Sequence, residues 1–143
     1  MTMRLIVSLF LSFFLLNSCG PKVTQEMQES TIEYQALSRG FYLNVIIQGK
    51  KMAIIREREG LRKEYVLTNA DYKEVASLYQ KIKLNELNEY KAPTEKRFYD
   101  GAAIANLTIN YQGQSYHTSG FDHGNPPVEI ADFINKIVSF TEN

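Results

Sequence analysis

The chain has 143 residues, of which 44% are hydrophobic and 22% charged, a balance that excludes a disordered chain and fits one globular domain. Sixteen Lys and Arg offset sixteen Asp and Glu, so no bulk charge exists to attract nucleic acid or to hold the chain on anionic lipid. A single cysteine excludes an intramolecular disulfide, a cysteine-based zinc site and a CxxC redox pair.

The first element is an apolar run, Leu5 to Leu16, behind Arg4. About 12 residues span only about 18 Å as a helix, against a hydrocarbon core of roughly 30 Å. The run is therefore read as the h-region of a signal peptide rather than a membrane span. The residues that follow, Leu16-Asn17-Ser18-Cys19, resemble the lipobox of bacterial lipoproteins, with Asn17 departing from the small residue most common at its position. This reading gives the lone cysteine a use, as the site of a thioether to lipid. The likeness implies a diacylglyceryl group on Cys19 and an N-acyl chain such as palmitate, and two or more chains anchor stably where one does not. Gly20 and Pro21 follow Cys19 in place of acidic residues. The expected address is a bacterial cell envelope, at the outer membrane and facing the periplasm.

Residues 19–30 are rich in Pro, Lys, Thr, Gln and Glu and predict a flexible tether. Residues 31–143 then form one domain. Thr31 to Ser38 alternates as a strand with Ile32, Tyr34 and Ala36 on one face. Phe41 to Gln48 alternates more strongly, with Phe41, Leu43, Val45 and Ile47 on one face. Gly49-Lys50 turns into Lys51 to Arg58, and Glu59-Gly60 turns into Leu61 to Leu67, with Leu61, Tyr65 and Leu67 sharing a face.

Thr68 has the chemistry of an N-cap, with Asp71 in capping-box spacing. Tyr72, Val75, Ala76, Tyr79 and Ile82 recur at helical spacing through Lys83, a stripe expected to be core. Leu84 and Leu87 are expected to cover a sheet end. Ala103 to Tyr111 alternates as a strand, and Gln112-Gly113 closes a two-residue hairpin. Its register sets Ile109 opposite Tyr116 and His117 opposite Thr108. Pro126-Pro127 pre-sets a last helix whose apolar face is Ile130, Phe133, Ile134, Ile137 and Val138. The sum is an α+β domain in the order β-β-β-β-α-β-β-α. It is an antiparallel sheet of about six strands, a meander plus a C-terminal hairpin, with two helices on one face.

Polar residues cluster in the loops: Arg39, Thr94, Arg97, Asp100, Asp122, His123 and Asn125. Asp100 precedes the hairpin and Asp122-His123 follows it, so the register brings them to one sheet end. Two readings stay open. In one, Asp100 and Asp122 make side-chain-bonded turns and Arg97 pins them. In the other, Arg97, Asp100, Asp122 and His123 line a site for a small polar ligand or a weak hydrolase. Asp122-His123 beside Ser119 has the residue types of a triad, yet no nucleophile elbow surrounds the serine. Two histidines outside HExxH or His-x-His spacing predict no metal site, and no glycine-rich phosphate loop predicts a cofactor. The aromatics fall on core faces instead of alternating with basic residues, against nucleic-acid binding.

Leu37-Ser38-Arg39-Gly40, Pro93-Thr94 with Arg97, Asp100-Gly101-Ala102 and Phe121 to Pro127 together resemble the pattern of small uncharacterised lipoproteins of the Bacteroidetes. The resemblance implies location and architecture and carries no activity or site residue. The function expected is a non-enzymatic binding module, held to the membrane through Cys19 and meeting an envelope protein or a cell-wall component.

Overall fold

A computed structural model describes residues 22–142. The expected signal peptide at 1–18, Cys19 and the start of the expected tether lie outside the described residues. The domain is α+β, with a seven-stranded antiparallel sheet. The first four strands, β1 (Thr31–Leu37), β2 (Tyr42–Gln48), β3 (Lys51–Ile55) and β4 (Lys63–Val66), run as the expected meander. The hairpin β5 (Ile104–Tyr111) and β6 (Gln114–His117) then returns to the other side of β1, giving the order β4-β3-β2-β1-β5-β6. A short β7 (Phe121–Asp122), which the sequence reading lacks, pairs with the start of β5 in line with β6.

Alternation sets the two faces. Ile32, Tyr34, Ala36, Leu43, Val45 and Ile47 all point to one side and are buried. The hairpin keeps its expected register, with Thr108 opposite His117 and Ile109 opposite Tyr116. Gln112 and Gly113 both take positive φ, 50° and 75°, the turn whose twist matches that of the flanking strands.

Helices α2 (Asn69–Tyr79) and α3 (Ala131–Ser139) cover the apolar face through Tyr72, Val75, Tyr79, Phe133, Ile134 and Ile137. Thr68 caps α2 by accepting from the Asp71 amide at 3.1 Å. Lys136 of α3 reaches Glu74 at 2.9 Å and Asp71 at 3.2 Å, tying the two helices together. Helix α2 ends at Tyr79, short of the expected Lys83. The chain turns there and carries Ile82, and then Leu87 on a 3-10 turn over Leu84–Glu89, back into the core.

Two expectations are corrected. The 19–30 tether is folded where it is described. Lys22–Glu29 forms a helix, α1, that packs on α2, and Met27 is 0% exposed within the core. Ser30 is buried as well and its hydroxyl bonds the Tyr79 hydroxyl at 2.8 Å. Composition hid this, because Val23 and Met27 are the two apolar residues of an otherwise polar segment. Three helices, not two, therefore share the covered face. The second correction concerns the bounds of β4, which runs Lys63–Val66 inside the expected Leu61 to Leu67. Leu67 is buried, but Leu61 is 89% exposed and Tyr65 is exposed too, because the helices do not reach over this edge of the sheet.

Candidate functional site

The polar loop cluster resolves into a sealed knot and a separate histidine. Asp122 pairs opposite Ile104, so its side chain leaves the sheet on the side away from the helices. There the segment from Ala92 to Tyr99 folds over it, and its carboxylate is 1% exposed. Oδ2 accepts from the Thr94 hydroxyl at 2.5 Å and from the Lys96 amide at 2.8 Å. Oδ1 accepts from the Arg97 amide at 3.0 Å and from Arg97 Nη1 at 3.1 Å. The two backbone donors open the 3-10 turn Lys96–Tyr99, so Asp122 acts across the fold as the cap that this turn lacks locally. Burial alone would raise the Asp122 carboxyl. The Thr94 hydroxyl, the two amides and the guanidinium outweigh it and hold the group down to about 2.

The knot extends outward in layers. Arg97 Nη1 also donates to the Thr94 carbonyl at 2.7 Å, and its guanidinium lies 4.3 Å from the Phe98 ring centre. Asn125 Nδ2 donates to Thr94 Oγ1 at 3.0 Å, and the Asn125 amide donates to the Asp122 carbonyl at 2.9 Å. An ionised carboxylate has about four lone-pair sites, and here four donors occupy them. No acceptor capacity is left for a substrate proton.

His123 lies on the other side of the sheet. Neighbouring residues of a strand point to opposite faces, so the adjacency that suggested an Asp-His pair is what separates them. His123 Nδ1 meets the hydroxyl of buried Tyr34 at 2.7 Å, and its ring lies 5.0 Å from that of Phe41. Burial lowers the histidine and raises the tyrosine, in each case favouring the uncharged form. The ring borders a cleft with Phe41, Arg56, Val138 and Thr141. Arg56 donates to the Thr141 carbonyl just beyond α3, where a cation suits the helix terminus.

Of the expected cluster, the structure joins Arg97, Asp122 and Asn125, with Thr94 as their hub. Asp100 stands apart and exposed, ending the 3-10 turn at φ 59°. Arg39 is exposed in the β1–β2 turn. Ser119 donates to the Asn88 carbonyl at 3.3 Å, so no Ser-His-Asp alignment exists. Tyr34, Phe41 and Arg56 were not singled out by the sequence reading. Tyr34 carried one signal: a tyrosine on the apolar face of a central strand needs a partner for its hydroxyl.

The sheet edges differ from each other. The β6 edge is covered by the Leu84–Glu89 turn, which packs against it. Strand β4 ends the sheet order, and all four of its residues are exposed. The Leu67 amide bonds the Lys50 carbonyl at 2.8 Å, and hydrogen-bonded pairs alternate along an antiparallel ladder. Lys63, Tyr65 and Leu67 thus turn their amides and carbonyls to β3, while Glu64 and Val66 turn theirs outward. Val66 is 76% exposed, and the outward groups adjoin a shallow groove lined by Ile46, Ala53, Arg62, Glu64 and Val66.

Comparison with protein-family models, with curated proteins and with solved structures finds no match.

Proposed function

We propose that this chain is a lipid-anchored cell-envelope protein that acts by binding and not by catalysis, with the outer edge of β4 as its contact surface. The observation that carries the reading is the asymmetry of the edges: one is covered by a turn, and the other, among the described residues, offers backbone groups with no pairing strand, flanked by Leu61, Tyr65 and Val66. An edge of that kind is a template for an added strand. The titratable residues that favoured a hydrolase are engaged elsewhere, Asp122 with its four donors and His123 with Tyr34. The lipobox-like Leu16 to Cys19 supports the anchor, and the resemblance to Bacteroidetes lipoproteins supports the outer-membrane address.

Cys19→Ala is expected to move the protein from the membrane to the soluble envelope fraction. Retention in the membrane would remove the anchor from the proposal. A photo-crosslinking residue at Val66, in intact envelopes, is expected to form adducts, while the same residue at exposed Glu57 forms none. Equal labelling at the two positions would remove the edge.

A further inference from the structure

We propose that the strand added at the β4 edge is β4 of a second copy of this chain, paired antiparallel about a two-fold axis through Lys63. This rests on the reading of the edge as the contact surface and names its partner.

The register follows from geometry. Two antiparallel copies joined edge to edge are related by a two-fold axis perpendicular to the sheet. Directly opposed side chains then share a face, which requires the axis to pass through a residue and not between two. Four positions are available within β4. An axis through Val66 sets Glu64 against Thr68 and Arg62 against Ala70, so neither has a charge partner on the second copy. An axis through Glu64 sets two carboxylates directly opposite each other, which is repulsive. An axis through Tyr65 pairs the two tyrosines but sets Glu64 against Val66 and leaves Arg62 without a charge partner on the second copy.

An axis through Lys63 also sets two like charges opposite each other, but of these axes it alone generates two opposite-charge pairs beside them together with an apolar pairing on the other face. Arg62 falls opposite Glu64 of the second copy, and Glu64 opposite its Arg62, so the two opposite-charge pairs are generated by symmetry. Arg62 and Glu64 already lie within 3.3 Å in one chain, so the four charges alternate on one face. On the other face Leu61, 89% exposed, meets Tyr65 of the second copy, again twice. The backbone groups of Glu64 turn outward, and the pairing extends β4 by the two residues before it, so that Arg62, in the same phase, exchanges the new ladder bonds with Glu64 of the second copy. The two Lys63 side chains meet on the axis and extend into solvent on flexible stems.

The same axis suits two chains tethered to one membrane. It keeps the helix-covered faces of both copies on one side of the joined sheet, and α1, the element nearest the anchor, lies on that side. A short edge pairing falls below the roughly 1,000 Å² typical of stable interfaces, so the pair depends on the high effective concentration that a shared membrane supplies.

The test is made on the full chain in its own envelope. Residues opposed on the axis, at a non-hydrogen-bonded position, have Cα atoms about 4.5 Å apart, within disulfide reach. Lys63→Cys is expected to give a covalent dimer under mild oxidation. Glu64→Cys and Tyr65→Cys, and the native chain with Cys19 alone, are expected to give none above background. Glu64→Arg added to Lys63→Cys is expected to cut dimer yield about tenfold, by turning two attractive pairs repulsive. Arg62→Glu combined with Glu64→Arg restores the pairs and is expected to restore the yield. Crosslinking at position 64 or 65 in place of 63, or failure of the charge swap to restore it, overturns the self-pairing. Val66 adducts to other proteins with no Lys63→Cys dimer overturn it too, and leave the edge reading standing. Absence of both removes both.

Discussion

Asp122→Ala is expected to destabilise the domain by about 3–5 kcal/mol, the range for breaking a buried ion pair. The loss exceeds one ion pair because the two amides that open the Lys96–Tyr99 turn, the Thr94 hydroxyl and Arg97 all lose their acceptor at once. At about 4–8 °C per kcal/mol for a small domain, or less for a larger one, the melting temperature should fall by well over 10 °C. Urea denaturation followed by circular dichroism measures it. A change below about 1 kcal/mol would mean that the knot does not hold the loop.

The pH dependence has a defined sign. The folded Asp122 carboxyl is held down to about 2, below its ordinary 3.8. The unfolded chain therefore binds the proton first as pH falls. The contribution is fully present above the ordinary value and is lost between about pH 4 and pH 2, amounting to about 2 kcal/mol. Buried His123 acts in the same direction at higher pH. Its folded value is lowered, so the stability it allows is present above about 6.5 and declines as pH falls below that. Asp122→Asn should flatten the pH 4 to 2 limb and leave the higher one.

Met27→Ala is expected to cost about 2–4 kcal/mol, the range for a large-to-small change in a packed core. Deletion of residues 19–29 should cost at least as much, because it uncovers α2 along with the Met27 pocket. If this segment were a flexible tether, both changes would leave the unfolding midpoint unmoved. Thermal unfolding of the two variants beside the native chain decides between these outcomes.

Much of the fold was legible because periodicity reports burial directly. Ile32, Tyr34 and Ala36 on β1, and the Ala103 to Tyr111 alternation, each identified the face that is buried. The Gln112-Gly113 turn fixed the hairpin register, and Thr68 announced the start of α2. Helix α1 was not legible, because two apolar residues, Val23 and Met27, are too few to establish a period. β7 was not legible either, since two residues cannot show alternation.

The site was partly legible. Of the expected cluster, Arg97, Asp122 and Asn125 gather on Thr94, as polar residues in turn-forming loops do, while Arg39 and Asp100 stand apart. His123 was grouped with them on adjacency in sequence, and the pleat of the strand sends it to the opposite face. Its real partner, Tyr34, is 89 residues away. Nothing local to either residue records that distance, which depends on β5 returning to pair with β1.

Local pattern in the amino-acid order was enough for the class of fold, the strand faces, the hairpin register and the expectation of an anchored chain. The packing of the elements sealed Asp122, set His123 against Tyr34, and covered β6 while leaving β4 without a neighbour among the described residues. Those outcomes depend on which loop crosses which edge. The physical reason is that burial along one element is periodic and can be read, whereas contacts between elements follow from the order in which the strands pack.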